Sequence, residues 1–178
     1  MAVLIEGTSV IIKVGEIQRR ITGGWTGFME YVPNETLCSD NEIARVGFMT
    51  PDDVKHFINR LESLGFIFQA DGEAQDIAVA DQIHGVSTKC SWLEFGHINW
   101  NNNPKQRIAA CRLVGSVEDH IYTPDGWAYE NSLSASYGFV PVGQEDKSLK
   151  YLRHEHGLDV YLNELTGEEV FIGRTGQS

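Results

Sequence analysis

The chain has 178 residues, 42% hydrophobic and 22% charged, a composition that suits one globular domain over residues 1–178 and needs neither disulfide nor metal to fold. Its 25 acidic side chains outnumber 14 basic ones for a formal charge of −11, and no basic run denser than Arg19-Arg20 interrupts the excess. Such a field repels nucleic-acid phosphate and acidic membrane surfaces, and it draws a basic protein partner.

The first segment, "VLIEGTSVIIKV", is rich in β-branched residues and reads as a strand, although Glu6 interrupts its apolar run. "GEIQRRI" and "GWTGFMEYV" read as short helical pieces around a turn at Gly23-Gly24, and "NEIARVGFM" as a second strand. The clearest element is a helix over about 51–64. Thr50 supplies an N-cap, and Pro51 suits the first helical position, where no N–H is needed. Asp52 and Asp53 face the positive end of the helix dipole. Val54, Phe57, Ile58, Leu61 and Leu64 fall on one stripe, and Gly65 provides a stop. His56 lies off the stripe and belongs in solvent.

After this helix the hydrophobic period drops to two. "FIFQADGEAQDIAVADQ" reads as strands around the Asp71-Gly72 turn, and "CSWLEFGHINW" pairs with "RIAACRLVG" through the polar "NNNPKQ". "TPDGWAYENSLSASYGFVPV" is irregular. "SLKYLRHEHG" is a short helix or a strand. "LDVYLNE" and "EEVFIGR" form a hairpin around "LTGE", with Val160 and Leu162 facing Val170 and Ile172. The sum is an α+β fold: a mostly antiparallel sheet with one long amphipathic helix and short helical pieces.

Chemistry is sparse. Cys38, Cys90 and Cys111 are odd in number and widely spaced, which argues against a disulfide framework and a zinc knuckle. The N-terminus lacks the basic region of a signal peptide, and no stretch approaches about 18 consecutive apolar residues. A cytoplasmic protein with reduced thiols is expected. Cys90 lies near His84 and His97 in sequence, as an imidazole-activated nucleophile would need, but its strand context favours a small buried side chain. Glycine-rich phosphate loops, GxSxG and HExxH are all missing, so no cofactor is expected.

His154-Glu155-His156 is the sharpest cluster. On a strand the two imidazoles share a face about 6–7 Å apart, with Glu155 pointing away. A metal needs a third ligand from afar, with His84, His97, His120, Asp81 and Glu94 as candidates. A metal-assisted hydrolase using His154 and His156 is therefore the alternative reading. The leading one is a protein-binding module with no catalytic residue and no metal ligand. Acidic and aromatic side chains at turns are its candidate contacts: Asp71, Glu73, Asp76, Trp100 and Asp125. Trp100 and Trp127 occupy the most loop-like positions of the four tryptophans. The oligomeric state is left open.

The phrases "DNEIARVGFMTPDDV", "DIAVADQ", "CSWLEFG", "GWAYENSLSASYGFVP" and "KYLRHEHGLDVYLNELTGEEVFIGR" together resemble a set of small bacterial cytosolic proteins with no assigned activity. The resemblance covers most of the chain and rests on structural phrases. In size, acidity and lack of catalytic motifs the chain is also loosely similar to immunity proteins of bacterial toxin systems. That likeness implies a small cytosolic inhibitor that binds a cognate toxin.

Overall fold

The computed structural model describes residues 1–116, 120–136, 149–155, 158–163 and 169–173. The opening β-branched segment divides into β1 (Ala2–Ile5) and β2 (Thr8–Lys13), which belong to different sheets. Gly7 makes the break. Its φ is +58°, and a Cβ there would stand 2.7 Å from the Phe48 carbonyl oxygen, so both the backbone and the space require glycine. Propensity within either strand carries no trace of this turn, which explains why the segment reads as one strand.

Two short helices follow, α1 (Val14–Arg20) and α2 (Gly24–Met29), then β3 (Cys38–Ser39) and β4 (Ile43–Phe48). The longest helix among the described residues is α3 (Pro51–Ser63). Thr50 Oγ1 accepts from the Asp53 N–H at 3.2 Å, satisfying one orphan donor of the first turn. Val54, Phe57, Ile58 and Leu61 are buried, while His56 is exposed. Gly65, at φ +101°, carries the chain out of the helix.

The strands then accumulate: β5 (Gln69–Ala70), β6 (Glu73–Ala74), β7 (Ile77–Asp81), β8 (Gly85–Val86), β9 (Leu93–Asn99), β10 (Arg107–Leu113) and β11 (Ile121–Tyr122). A short helix α4 (Leu133–Ser136) precedes β12 (Leu149–Glu155), β13 (Leu158–Asn163) and β14 (Glu169–Gly173). Asp71 and Gly72 turn the β5–β6 hairpin, and both have positive φ.

Most strands pair antiparallel, so the fold is α+β; the pairing of β1 with β11 is parallel. The five-stranded sheet runs β3-β4-β2-β7-β8 and the four-stranded sheet β11-β1-β10-β9. Strand alternation gives the five-stranded sheet two buried faces. Val10, Ile12, Ala44, Val46, Ile77 and Val79 join the buried side chains of the helices in one core. Ile11, Ile43, Ala78 and Ala80 join Val3, Ile5 and Ile108 of the four-stranded sheet in a second. The result is three layers, helices on sheet on sheet. Burying both faces explains why β2, β4 and β7 are buried almost end to end and carry apolar residues on both faces, as in Val10-Ile11-Ile12 and Ile77-Ala78-Val79-Ala80, instead of alternating.

A separate three-stranded sheet runs β12-β13-β14. Residues 149–155 are thus strand, not helix. The β13–β14 register differs from the expected one: Val160 pairs with Phe171 and Leu162 with Glu169, whereas Ile172 pairs with Asp159 and Val170 with Tyr161. A shift of one residue swaps the faces, because side chains alternate with period two. The "LTGE" segment expected to set this register lies outside the described residues.

Candidate functional site

The structure divides the five candidate contact residues into two places. Asp71, Glu73 and Asp76 lie on the β5–β6 hairpin and its exit. Asp71 is exposed at the turn, and Glu73 is ion-paired with Lys89 at 3.1 Å. Asp76 faces inward, only 7% exposed. Its Oδ2 accepts from the Ile67 N–H at 2.8 Å and meets Arg20 Nε at 3.2 Å, so this carboxylate ties α1 to the chain leaving α3. Trp100 and Asp125 lie elsewhere, where the β9–β10 connection meets residues 124–136.

Trp100 opens a tight left-handed turn closed by Asn103 N–H donating to the Trp100 carbonyl at 3.0 Å. Asn101 and Asn102 hold φ of +53° and +58°, a conformation asparagine tolerates better than other non-glycine residues. Trp127 follows the Pro124-Asp125-Gly126 turn, closed by its own N–H to the Pro124 carbonyl at 3.0 Å. The two indoles meet edge to face, with centroids 5.0 Å apart and planes at 82°. Tyr129 adds a third ring, 6.4 Å from Trp127.

Two hollows flank this pair. Trp127 lines a cleft of about 530 Å³ between residues 124–133, the start of α3 and the β3–β4 edge. Trp100 lines a broader groove of about 1150 Å³ over the four-stranded sheet. The groove has Ala2, Gly96 and Ala110 among its small lining residues, and its charges pair off: Arg112 Nε meets Glu94 Oε2 at 2.6 Å across β9–β10.

The smaller cleft is built on Glu6 and Arg45. Glu6 is 6% exposed and accepts three hydrogen bonds: Trp127 Nε1–H on Oε1 at 2.8 Å, and the Ser134 N–H and Oγ–H on Oε2, both at 2.7 Å. One buried carboxylate therefore pins residues 127 and 134 to the β1–β2 junction. Arg45 is 2% exposed. Its Nε donates to Ser9 Oγ at 2.9 Å, Nη1 to the Thr36 carbonyl at 3.0 Å and Nη2 to the Glu6 carbonyl at 2.8 Å. The guanidinium lies across Gly47, two residues along the same face of β4, where a Cβ would overlap it. Glu35, Asp53 and Asp125 are exposed at the mouth.

Sequence reasoning missed Glu6, Arg45 and Trp127 as parts of one site. The available signal was the charge set inside each apolar strand, in "VLIEGTSV" and in "NEIARVGF". A charge buried at such a place must be paired or hydrogen-bonded.

Cys38 and Cys111 are buried in the core, whereas Cys90 is half-buried against it and lies outside the strands. Burial pushes the Cys38 and Cys90 thiols up, and Cys111 up to about 12. All three therefore stay protonated near neutrality, and a thiol is a poor nucleophile in that form. Among the described residues no three His, Cys, Asp or Glu side chains converge as a metal site. His154 lies in β12 opposite Asp159, and His156 lies outside the described residues. No described helix is long and apolar enough to cross a membrane.

Comparison with family models, curated protein sequences and solved structures gives no match. Fold and site together define a three-layer α+β domain with an aromatic ridge between two hollows, one of them rimmed by acid.

Proposed function

We propose that the protein is an acidic protein-binding module of the bacterial cytoplasm that captures a basic protein partner directly, acting as an immunity protein toward a cognate toxin. The observation that carries this reading is the Trp100–Trp127 pair at 5.0 Å, half-buried beside the exposed Asp125. Indoles locked by mutual contact give up little conformational freedom on binding, and tryptophan leads the residue types that anchor interfaces. The net charge of −11 raises the encounter rate with a basic partner. The residues bearing the contact are Trp100, Trp127 and Asp125; Asp71 and Glu73 add to the field from the hairpin. Asp76 serves folding.

The test is co-purification from the native host with the unaltered protein and with Trp100→Ala. A partner retained in 1:1 ratio by the first and lost from the second, whose toxicity to cells is relieved by co-expression of the protein, is the expected result. Equal retention by both, or no stoichiometric partner, overturns the reading.

A further inference from the structure

We infer that the 530 Å³ cleft beside Trp127 receives an arginine side chain from a basic segment of the partner. This rests on the binding-module reading and adds where, and through which chemistry, the partner is read. Phe48, Met49, Leu133 and the Trp127 ring give the cleft its apolar wall, beside the polar Asn34, Thr36, Asn131 and Ser132. At the floor Glu6 and Arg45 balance in charge, and their polar atoms are engaged. Glu6 takes three donors, and each Arg45 nitrogen donates to an oxygen of Ser9, Thr36 or Glu6. Among the described residues Arg45 is the only basic one lining the cleft. The mouth therefore sets the sign of the charge presented to a ligand.

Glu35, Asp53 and Asp125 come to that mouth from three separate parts of the chain, the loop before β3, the first turn of α3 and the turn before Trp127. Their summed charge of three negatives faces a hollow with an apolar wall at Phe48, Met49 and Trp127, which complements a cation on a long apolar stem. Guanidinium fits better than ammonium. It is planar, is more weakly hydrated, stacks on an indole and reaches two carboxylates at once. The volume lies within the range that encloses a small ligand. The larger groove lacks this character because Glu94 is already matched by Arg112.

The experiment titrates a hexa-arginine peptide into the full chain at near-physiological salt, following tryptophan fluorescence and heat. Hexalysine and hexaglutamate serve as comparison peptides. Two triple variants carry the same change in net charge. One neutralises the mouth (Glu35→Gln, Asp53→Asn, Asp125→Asn); the other neutralises exposed acids elsewhere (Glu30→Gln, Glu62→Gln, Glu94→Gln). Saturable binding of hexa-arginine is expected, with hexalysine weaker and hexaglutamate silent. The mouth variant should lose about tenfold or more in affinity and the distant variant less than about threefold. Asp125→Asn alone, at an exposed turn, should lose several-fold and keeps the test open if the triple variant folds poorly. Equal loss in both triple variants overturns the cleft while leaving capture by the overall field in place. Absence of saturable binding, or self-association of the chain that buries the cleft, also overturns it; 1:1 capture of a natural partner then decides the binding-module reading separately.

Discussion

The Trp127 indole donates its Nε1–H to Glu6 Oε1 at 2.8 Å, a bond between residues 121 positions apart. With the two bonds from Ser134 to the other oxygen, this carboxylate joins the start of the chain to the segment that carries the aromatic ridge. The ridge therefore depends on a carboxylate buried at the floor of the cleft.

Glu6→Gln tests that dependence. An amide offers one acceptor oxygen and one NH₂, so donors at Trp127 and Ser134 would face a donor on one side. Stability should fall by about 1–3 kcal/mol, the cost of a buried polar group left mismatched. Urea unfolding measures it, and tryptophan emission should shift to the red as Trp127 loosens. An unchanged midpoint and spectrum would show that residues 127–134 are held by packing alone.

Gly47 and Gly15 should respond oppositely to alanine. At Gly47 a Cβ would overlap the Arg45 guanidinium, which is buried and fixed by three acceptors and has no room to yield. Gly47→Ala should cost about 1–3 kcal/mol. At Gly15, inside α1, nothing stands within 4 Å of the new methyl, so Gly15→Ala should be neutral or stabilise by up to about 1 kcal/mol. Comparison of the two thermal melts checks both signs.

Glu16 provides a pH-dependent contribution. Burial works against its charge, but Arg19 at 2.8 Å and Arg20 at 2.7 Å outweigh it and hold the carboxyl below its ordinary value. A carboxylate with a depressed folded-state value stabilises above its unfolded value and loses that contribution as pH falls through the folded one. Glu16→Gln should therefore destabilise by about 0.5–1 kcal/mol at neutral pH, given how exposed Arg19 is. The gap from the unaltered protein should narrow as pH falls below the ordinary carboxylate range and close once the folded-state carboxyl is protonated. A gap independent of pH would assign the effect to packing.

Thiol labelling ranks the cysteines. Cys90 is half-buried, whereas Cys38 and Cys111 are buried and Cys111 is pushed up to about 12. Under native conditions Cys90 should react with a disulfide reagent ahead of the other two, and all three should react together only in denaturant. Rapid native labelling of Cys111 would contradict its place in the core.

Local signals are readable where a feature depends on neighbours in the chain. The Thr50 cap, Pro51, the buried stripe and Gly65 lie within one segment, and so does the Asp71-Gly72 turn. Period-two runs mark strands for the same reason, and the excess of 25 acids over 14 bases needs no coordinates. Other features depend on what approaches from elsewhere. Gly7 breaks the first strand because the Phe48 carbonyl occupies the space beside it. Asp76 reads as a surface acid until Arg20 and the Ile67 N–H are seen to claim it. Pairing within the β13–β14 hairpin turns on a register that alternation alone leaves free by one residue.

By itself, then, the sequence determined an acidic α+β chain with its local turns, helix ends and strands, because propensity, capping and periodicity act over a few residues. Only the tertiary structure decided that Trp100 meets Trp127, that Glu6 and Arg45 form a satisfied floor, and that Glu35, Asp53 and Asp125 share a mouth. Those contacts join segments far apart along the chain. Their geometry follows from how two sheets and a helix layer bury their faces together, and no short stretch of residues encodes that.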